Sequence, residues 1–210
     1  MAPTTRATGR SPVTRERIAE AALGILDRAA NENALTMRTL GSELGVQAPS
    51  LYAHVTGIDD VIYLVHERIN ATIDLTVLAN PDPLVGLQEF GHLYRAAYGR
   101  HRIAASIIIT RSINADHALV VYEAIAECLV RAGVPLAQVM PCMALLDTVA
   151  LGSAIEPFSD GFVGPVATYR KAYPTLATAL QNSHRGRVDD EGFQLGLNGF
   201  LDLVRSLSAG

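Results

Sequence analysis

This chain of 210 residues has little of what several protein classes require. It holds two cysteines, Cys128 and Cys142, fourteen apart and outside any CxxC arrangement. A disulfide framework or a zinc site has no support, and both read as small hydrophobes of a reduced, cytoplasmic protein. Gly133, Pro135 and Pro141 interrupt the uncharged stretch 132–146, which falls short of the roughly 18–20 apolar residues of a membrane span. The N-terminus carries Arg, Thr and Pro but no apolar segment of a secretory signal. Enzymatic signatures are missing too: there is no GxSxG, Walker loop or GxGxxG. His66-Glu67 opens the HExxH pattern, but position 70 is Asn, so the second ligand is absent. No catalytic residue, cofactor or metal is expected.

Nor is there an excess of charge of one sign. The net charge is −4, which excludes charge-driven wrapping of nucleic acid by the whole molecule. The distribution is uneven: residues 1–58 hold six Arg and five acids, the rest eleven basic and sixteen acidic residues. Arg6, Arg10, Arg15 and Arg17 face only Glu16, so residues 1–12 read as a basic arm on an otherwise acidic protein. That arm either reaches nucleic acid or is a disordered tail.

What the chain does have is apolar content, 49%, at helical spacing. Ile18, Ala21, Ala22, Ile25, Leu26 and Ala29 form one stripe of a first helix opening at Thr14. A second helix is predicted over 37–44, with Thr36 capping its N–H groups and Gly45 closing it in a left-handed turn. A third begins at Ala48-Pro49 and is spent by Val55, because proline in the first turn sacrifices no needed hydrogen bond. A fourth starts near Asp59 and links onward to about residue 78. After Asn80-Pro-Asp-Pro83, helical patterns cover 84–99, 101–110, 116–132, 136–156, 165–181 and 189–207. The expectation is an all-α chain of nine or ten helices: a head over 13–58 and a larger helical domain over 59–210.

Two short helices joined by a turn opening with Gly have the shape of a helix-turn-helix. Gly41, in mid-helix, costs about 0.8–1 kcal/mol relative to Ala, and close approach of the third helix is the physical reason proposed for it. Leu51 and Val55 claim the core side of that third helix. Gln47, Ala48, Ser50, Tyr52 and His54 are then left outside, either simply solvated or reading a duplex. Gln suits adenine, Ser a base edge or phosphate, and Ala a thymine methyl, while Tyr and His suit phosphate oxygens. Arg38 can reach a guanine edge or the backbone.

The strings Leu35-Thr-Met-Arg, Glu43-Leu-Gly-Val and Ala48-Pro-Ser-Leu-Tyr-Ala-His-Val55 resemble the DNA-binding domain of the TetR family of transcriptional regulators, over residues 12–66. The resemblance implies a homodimeric repressor on a palindromic double-stranded operator, released by a small-molecule effector. It places Thr36, Arg38, Gln47, Ala48, Pro49 and Ser50 at or beside the bases, and Tyr52 and His54 on phosphates. One departure stands out: the family usually opens its fourth helix with a phosphate-binding lysine, and Ile58 occupies that place here. The basic arm can supply the missing charge. The alternative from another class is a helical small-molecule-binding dimer without operator binding.

The resemblance also makes 59–210 a ligand-binding and dimerisation domain, with the 136–156 and 189–207 helices pairing across a two-fold axis. Phe193, Leu197, Phe200, Leu201, Val204 and Leu207 share one face of the last helix, with Leu195 and Leu203 off it. The 139–155 run is apolar nearly all round except for Asp147. A buried carboxylate must find a donor, become protonated, reach water or meet a ligand. Pro141 is expected to bend that helix. Tyr94-Arg, His101-Arg, Thr110-Arg and Leu151-Gly-Ser-Ala-Ile-Glu156 are similar to a stretch of the tetracycline-responsive members. Those place the matching His, and the matching Glu through water, around a magnesium–drug complex. Their polar residues on helices four and five are replaced by Asp74 and Phe90, so no metal is assigned. His101 and Glu156 remain pocket candidates, with Tyr94, Tyr122, Asp147, Phe158 and Tyr169 beside them as pocket or core.

Overall fold

The computed structural model describes residues 12–111, 116–155, 158–162, 164–184 and 186–209. Among these it contains helices and no strand: α1 (Arg15–Asp27), α2 (Met37–Leu44), α3 (Ala48–Leu51), α4 (Ile58–Asn70), α5 (Pro83–Gly99), α6 (Arg102–Ile108), α7 (Asp116–Arg131), α8 (Leu136–Ile155), α9 (Val166–Arg170), α10 (Pro174–Asn182) and α11 (Val188–Ser208). Short 3-10 turns stand at Glu32–Ala34, Leu75–Ala79 and Phe158–Gly161.

The head follows from its caps. The Thr14 hydroxyl accepts from the Arg17 N–H to open α1. Thr36 and Thr39 cap α2 reciprocally, each side chain accepting the other's backbone N–H at 3.1 and 2.9 Å. Gly45 closes α2 at φ 69°, where a side chain would be strained. Ile18, Ala22, Leu26, Leu40, Leu51 and Val55 form the buried centre. A Cβ on Gly41 would lie 2.9 Å from the Val46 carbonyl oxygen and 3.2 Å from the Ala48 nitrogen. The close approach is thus to the backbone of the turn and the start of α3.

Three boundaries differ from the sequence expectation. The third helix is regular only over Ala48–Leu51, although turn hydrogen bonds from His54 and Val55 to the Leu51 carbonyl carry the coil to Val55. The linking helix stops at Asn70 rather than near 78. There Thr72 bonds back to the Ile69 carbonyl, and the Asp74 carboxylate caps a separate 3-10 turn through the Thr76 N–H and hydroxyl. The 165–181 stretch is two helices, which raises the count among described residues to eleven. Pro174 lacks an N–H and drives Tyr173 out of helical backbone, to φ −137° and ψ 65°.

In the larger domain α8 packs along α5 and α11 and touches α7, while α4 runs from the head against α1, α6 and α7. By length and composition α8 is apolar enough to cross a membrane, contrary to the sequence estimate. Here it serves as a core helix: Val139, Cys142, Met143, Leu146, Ala150 and Ala154 are buried. It continues through Pro141 as one helix.

Candidate functional site

Two surfaces answer to the predicted residues. The first is the outer side of α2 and α3. Leu51 and Val55 are buried, and Gln47, Pro49, Ser50 and Tyr52 are exposed, with Ala48 and His54 half-buried between them. Thr36 and Arg38 are exposed on the same head at the start of α2. The Thr36 hydroxyl is already engaged in the capping box, which fixes its direction.

The first turn of α4 is acidic. Asp59 and Asp60 stand there, behind a Gly57 cap, and half-buried Ile58 packs against the core. Arg15 makes a two-pronged ion pair to Asp60, at 2.9 and 3.3 Å, and donates to the His54 carbonyl at 2.7 Å. Thr56 N–H adds a bond to the same carboxylate at 3.0 Å. Burial alone would raise the Asp60 pKa; Arg15 and the Thr56 amide outweigh it and hold the carboxyl below its usual range. Arg15 therefore belongs to the junction of α3 and α4, not to a free arm. Arg17 reaches back to the Pro12 carbonyl at 2.7 Å, and Arg6 and Arg10 lie outside the described residues.

The second surface is a cavity of about 380 Å³ between α4, α5, α6, α7 and α8. Of the predicted ligand residues it brings together Tyr94, Tyr122 and Asp147. Tyr122 donates to Asp147 Oδ2 at 2.6 Å, so the lone charge of α8 has a donor within the chain. Asp147 Oδ1 has no protein partner and is sealed from solvent. Desolvation raises the Asp147 pKa, opposed by hydrogen bonding from Tyr122 and Tyr94. Tyr94, Tyr98 and Tyr122 are all pushed upward chiefly by burial, so each phenol keeps its proton.

The structure adds wall residues that the sequence reading missed. Asn70 is the one polar residue fully buried among those described; Tyr98 donates to its Oδ1 at 2.9 Å. His66 lies one turn before Asn70, edge-on to the Tyr98 ring, and burial lowers its pKa. Spacing was the available signal, since His66 and Asn70, like Tyr94 and Tyr98, stand at i and i+4 on one helix face. Arg111, just past α6, also lines the cavity, and its guanidinium pairs with Asp59 of α4.

The other candidates lie elsewhere. His101 Nδ1 meets Asp27 at 2.8 Å, joining the start of α6 to the end of α1 in the head. Phe158 is exposed and packs edge-on to Phe162, which in turn faces Tyr169, beside a separate hollow under α10. Glu156 lies outside the described residues. With His101 turned to the head, Asp74 capping a turn and Phe90 buried in the core, these residues do not fit a magnesium–drug site. No group of three His, Cys, Asp or Glu able to hold a metal occurs among the described residues.

No family model matches the chain. A helix-turn-helix transcriptional regulator of Saccharopolyspora erythraea is 30% identical over 141 residues, which is 67% of this chain and 59% of that protein. The chain thus spans about three fifths of that relative. Apo ActR from Streptomyces coelicolor superposes with a TM-score of 0.76 at 25% identity, covering 95% of this chain and 98% of ActR. ActR, described as a TetR family protein, gives 0.77 at 26% identity in its actinorhodin complex, covering 92% and 96%. In sequence and fold the chain is similar to the TetR family regulators. Against the TetR-family pattern the acidic start of α4 is a departure: where a lysine is usual, Asp59 pairs with Arg111 and Asp60 with Arg15.

Proposed function

We propose that this chain is a ligand-responsive repressor that binds a palindromic operator as a homodimer, with α3 in the major groove. The observation that carries this is the split of α3: Leu51 and Val55 are buried while Gln47, Ser50 and Tyr52 stay uncovered. Gln47, Ala48, Pro49 and Ser50 are assigned to the bases, with Thr36 and Arg38 at or beside them. Tyr52 and His54 are assigned to phosphates. One such element reads only a few base pairs, so two heads about 34–36 Å apart are needed for specificity. Exposed Leu136 and Met140 on α8 and Leu195 on α11 support pairing of these two helices between protomers. A regulator of this kind works in the cytoplasm and has no enzymatic step.

The cavity is the effector site in this reading; the similar ActR is a TetR family protein solved in complex with actinorhodin, which supports binding of a small molecule. Arg111 connects it to the head. Its guanidinium holds Asp59, and adjacent Asp60 holds Arg15, the Thr56 amide and, through Arg15, the His54 carbonyl. An effector that displaces Arg111 shifts α4 and with it the end of α3, and it does so only by its differential affinity for the two states.

The test is fluorescence anisotropy of the purified chain on DNA from upstream of its own gene, across a salt series. Specific binding about 10³-fold or more tighter than to scrambled DNA is expected. Equal binding to both, or none, overturns the repressor reading. That outcome favours a ligand-binding dimer without operator binding, to which the acidic first turn of α4 points.

A further inference from the structure

A second groove, of about 600 Å³, runs along another face of α5. His92, Arg95 and Arg100 line it from α5, Arg102 from the start of α6, Ser153 from the end of α8 and Asp189 from the first turn of α11. Among the described residues it shares no wall with the cavity, to which α5 contributes Tyr94 and Tyr98. The larger domain is acidic, with eleven basic and sixteen acidic residues over 59–210. Yet three arginines gather here, and Asp189, itself engaged, is the only carboxylate among the described lining residues. The three arginines differ in what they hold. Arg95 is neutralised: it pairs with Asp190 at 2.8 Å and lies over the Phe193 ring at 4.7 Å. Arg102 donates from Nε to the Ile155 carbonyl at 2.9 Å, covering the negative end of α8. Its two terminal nitrogens meet no acid among the described residues. Arg100 is exposed and has no side-chain partner among them either.

From this arrangement we infer that the groove binds a small polyvalent oxyanion, a phosphate ester or a di- or tricarboxylate, held between Arg100 and Arg102. Two guanidiniums on either side of the α5–α6 turn present planar forks that match the paired oxygens of phosphate or carboxylate. Their like charges repel across the groove, and an anion between them removes that cost. A monovalent anion would balance one of the two and leave the other uncompensated. An apolar ligand would desolvate both without pairing either. The carboxylates nearby do not compete, since Asp190 is spent on Arg95 and Asp189 is engaged. Nor is the Ser153 hydroxyl a donor for the anion, because it already donates to the Ala150 carbonyl. The arginines therefore carry the recognition, and the site stands whether or not the chain binds an operator.

Isothermal titration of the full chain with inorganic pyrophosphate, citrate and acetate tests this, all at one ionic strength set with sodium chloride. Binding heat is the readout, because polyvalent anions raise melting temperature merely by exclusion from the protein surface. Saturable binding of pyrophosphate or citrate, about tenfold or more tighter than acetate, is expected. Tighter pyrophosphate assigns the site to phosphates, tighter citrate to carboxylates. Arg100→Glu, at an exposed position without a partner, should weaken binding about tenfold or more and leave the fold intact. Where that variant melts early, Arg100→Ala takes its place, with a loss of a few-fold expected. Arg38→Ala, on the exposed face of the head, should leave the affinity unchanged, which separates the groove from a surface that meets DNA phosphates. Affinities no tighter than that of acetate overturn the proposal. So does full affinity in both Arg100 variants, or a loss in Arg38→Ala that matches theirs.

Discussion

The head and the domain behind it treat polar atoms in opposite ways. In the head, Thr14, Thr36 and Thr39 each satisfy a backbone N–H close by in sequence, and Asp60 at its edge holds the Thr56 N–H. Among the described residues, the buried side-chain polar atoms without a partner are Asn70 Nδ2, Arg95 Nε and Asp147 Oδ1, all beyond the head. The head is thus closed on itself and presents a finished surface. The larger domain keeps unpaired polar atoms sealed inside it.

Breaking the head should have the largest effect. Gly41→Val forces a side chain against the Val46 carbonyl and the Ala48 nitrogen, backbone atoms that cannot turn aside. Destabilisation of about 2–3 kcal/mol is expected, a fall in melting temperature of roughly 5–10 °C, together with loss of operator binding. Calorimetry and anisotropy check it, and unchanged values in both would remove the close-approach account.

A second pair of substitutions sharpens the surface itself. Gln47→Ala should cost about 1–3 kcal/mol at particular base pairs and relax preference there. Tyr52→Phe should weaken all sequences alike. A binding-site selection with each variant separates them, and a uniform loss for Gln47→Ala contradicts a base-reading role.

The link between the regions is tested by Arg111→Ala. The exposed pair with Asp59 adds little stability, within about 0.2–1 kcal/mol, so operator affinity without effector should change only a few-fold. The release of operator caused by a cavity-binding effector should shrink by most of a typical coupling energy of about 1–3 kcal/mol. Full release in the variant would show that the signal takes another route.

The smallest effect expected is on pH dependence. Burial lowers the His66 pKa below its ordinary value near 6.5, so the folded chain binds fewer protons than the unfolded one in the window just beneath that value. The His66 contribution is whole above about 6.5 and is lost as pH falls through the folded pKa. His66→Gln should flatten melting temperature between about pH 7 and 5. An unaltered profile assigns the slope to other groups.

Legibility from sequence divided along the same line. Thr36, Gly45 and Pro49 act within four residues of themselves, and the boundaries of α2 and the start of α3 stand where those residues put them. The pocket was reached less well. Tyr94, Tyr122 and Asp147 came together, whereas His101 turned to Asp27, Phe158 lines another hollow, and Tyr169 meets its neighbour Phe162. Asn70 was visible only as a missing metal ligand, because nothing beside it in the chain says that Tyr98 will meet it.

By itself, then, the amino-acid order determined the helical class, the caps and turns of the head, and which side chains of α3 are left outside. Those are matters of periodicity and of hydrogen bonds spanning three or four residues. Tertiary structure alone decided which side chains share a cavity and which distant partners they meet. The deciding contacts are Tyr98 with Asn70, Tyr122 with Asp147 and Arg111 with Asp59, separated by 28, 25 and 52 residues. Helical periodicity shows which face a residue shares, but the neighbour opposite depends on how whole helices cross.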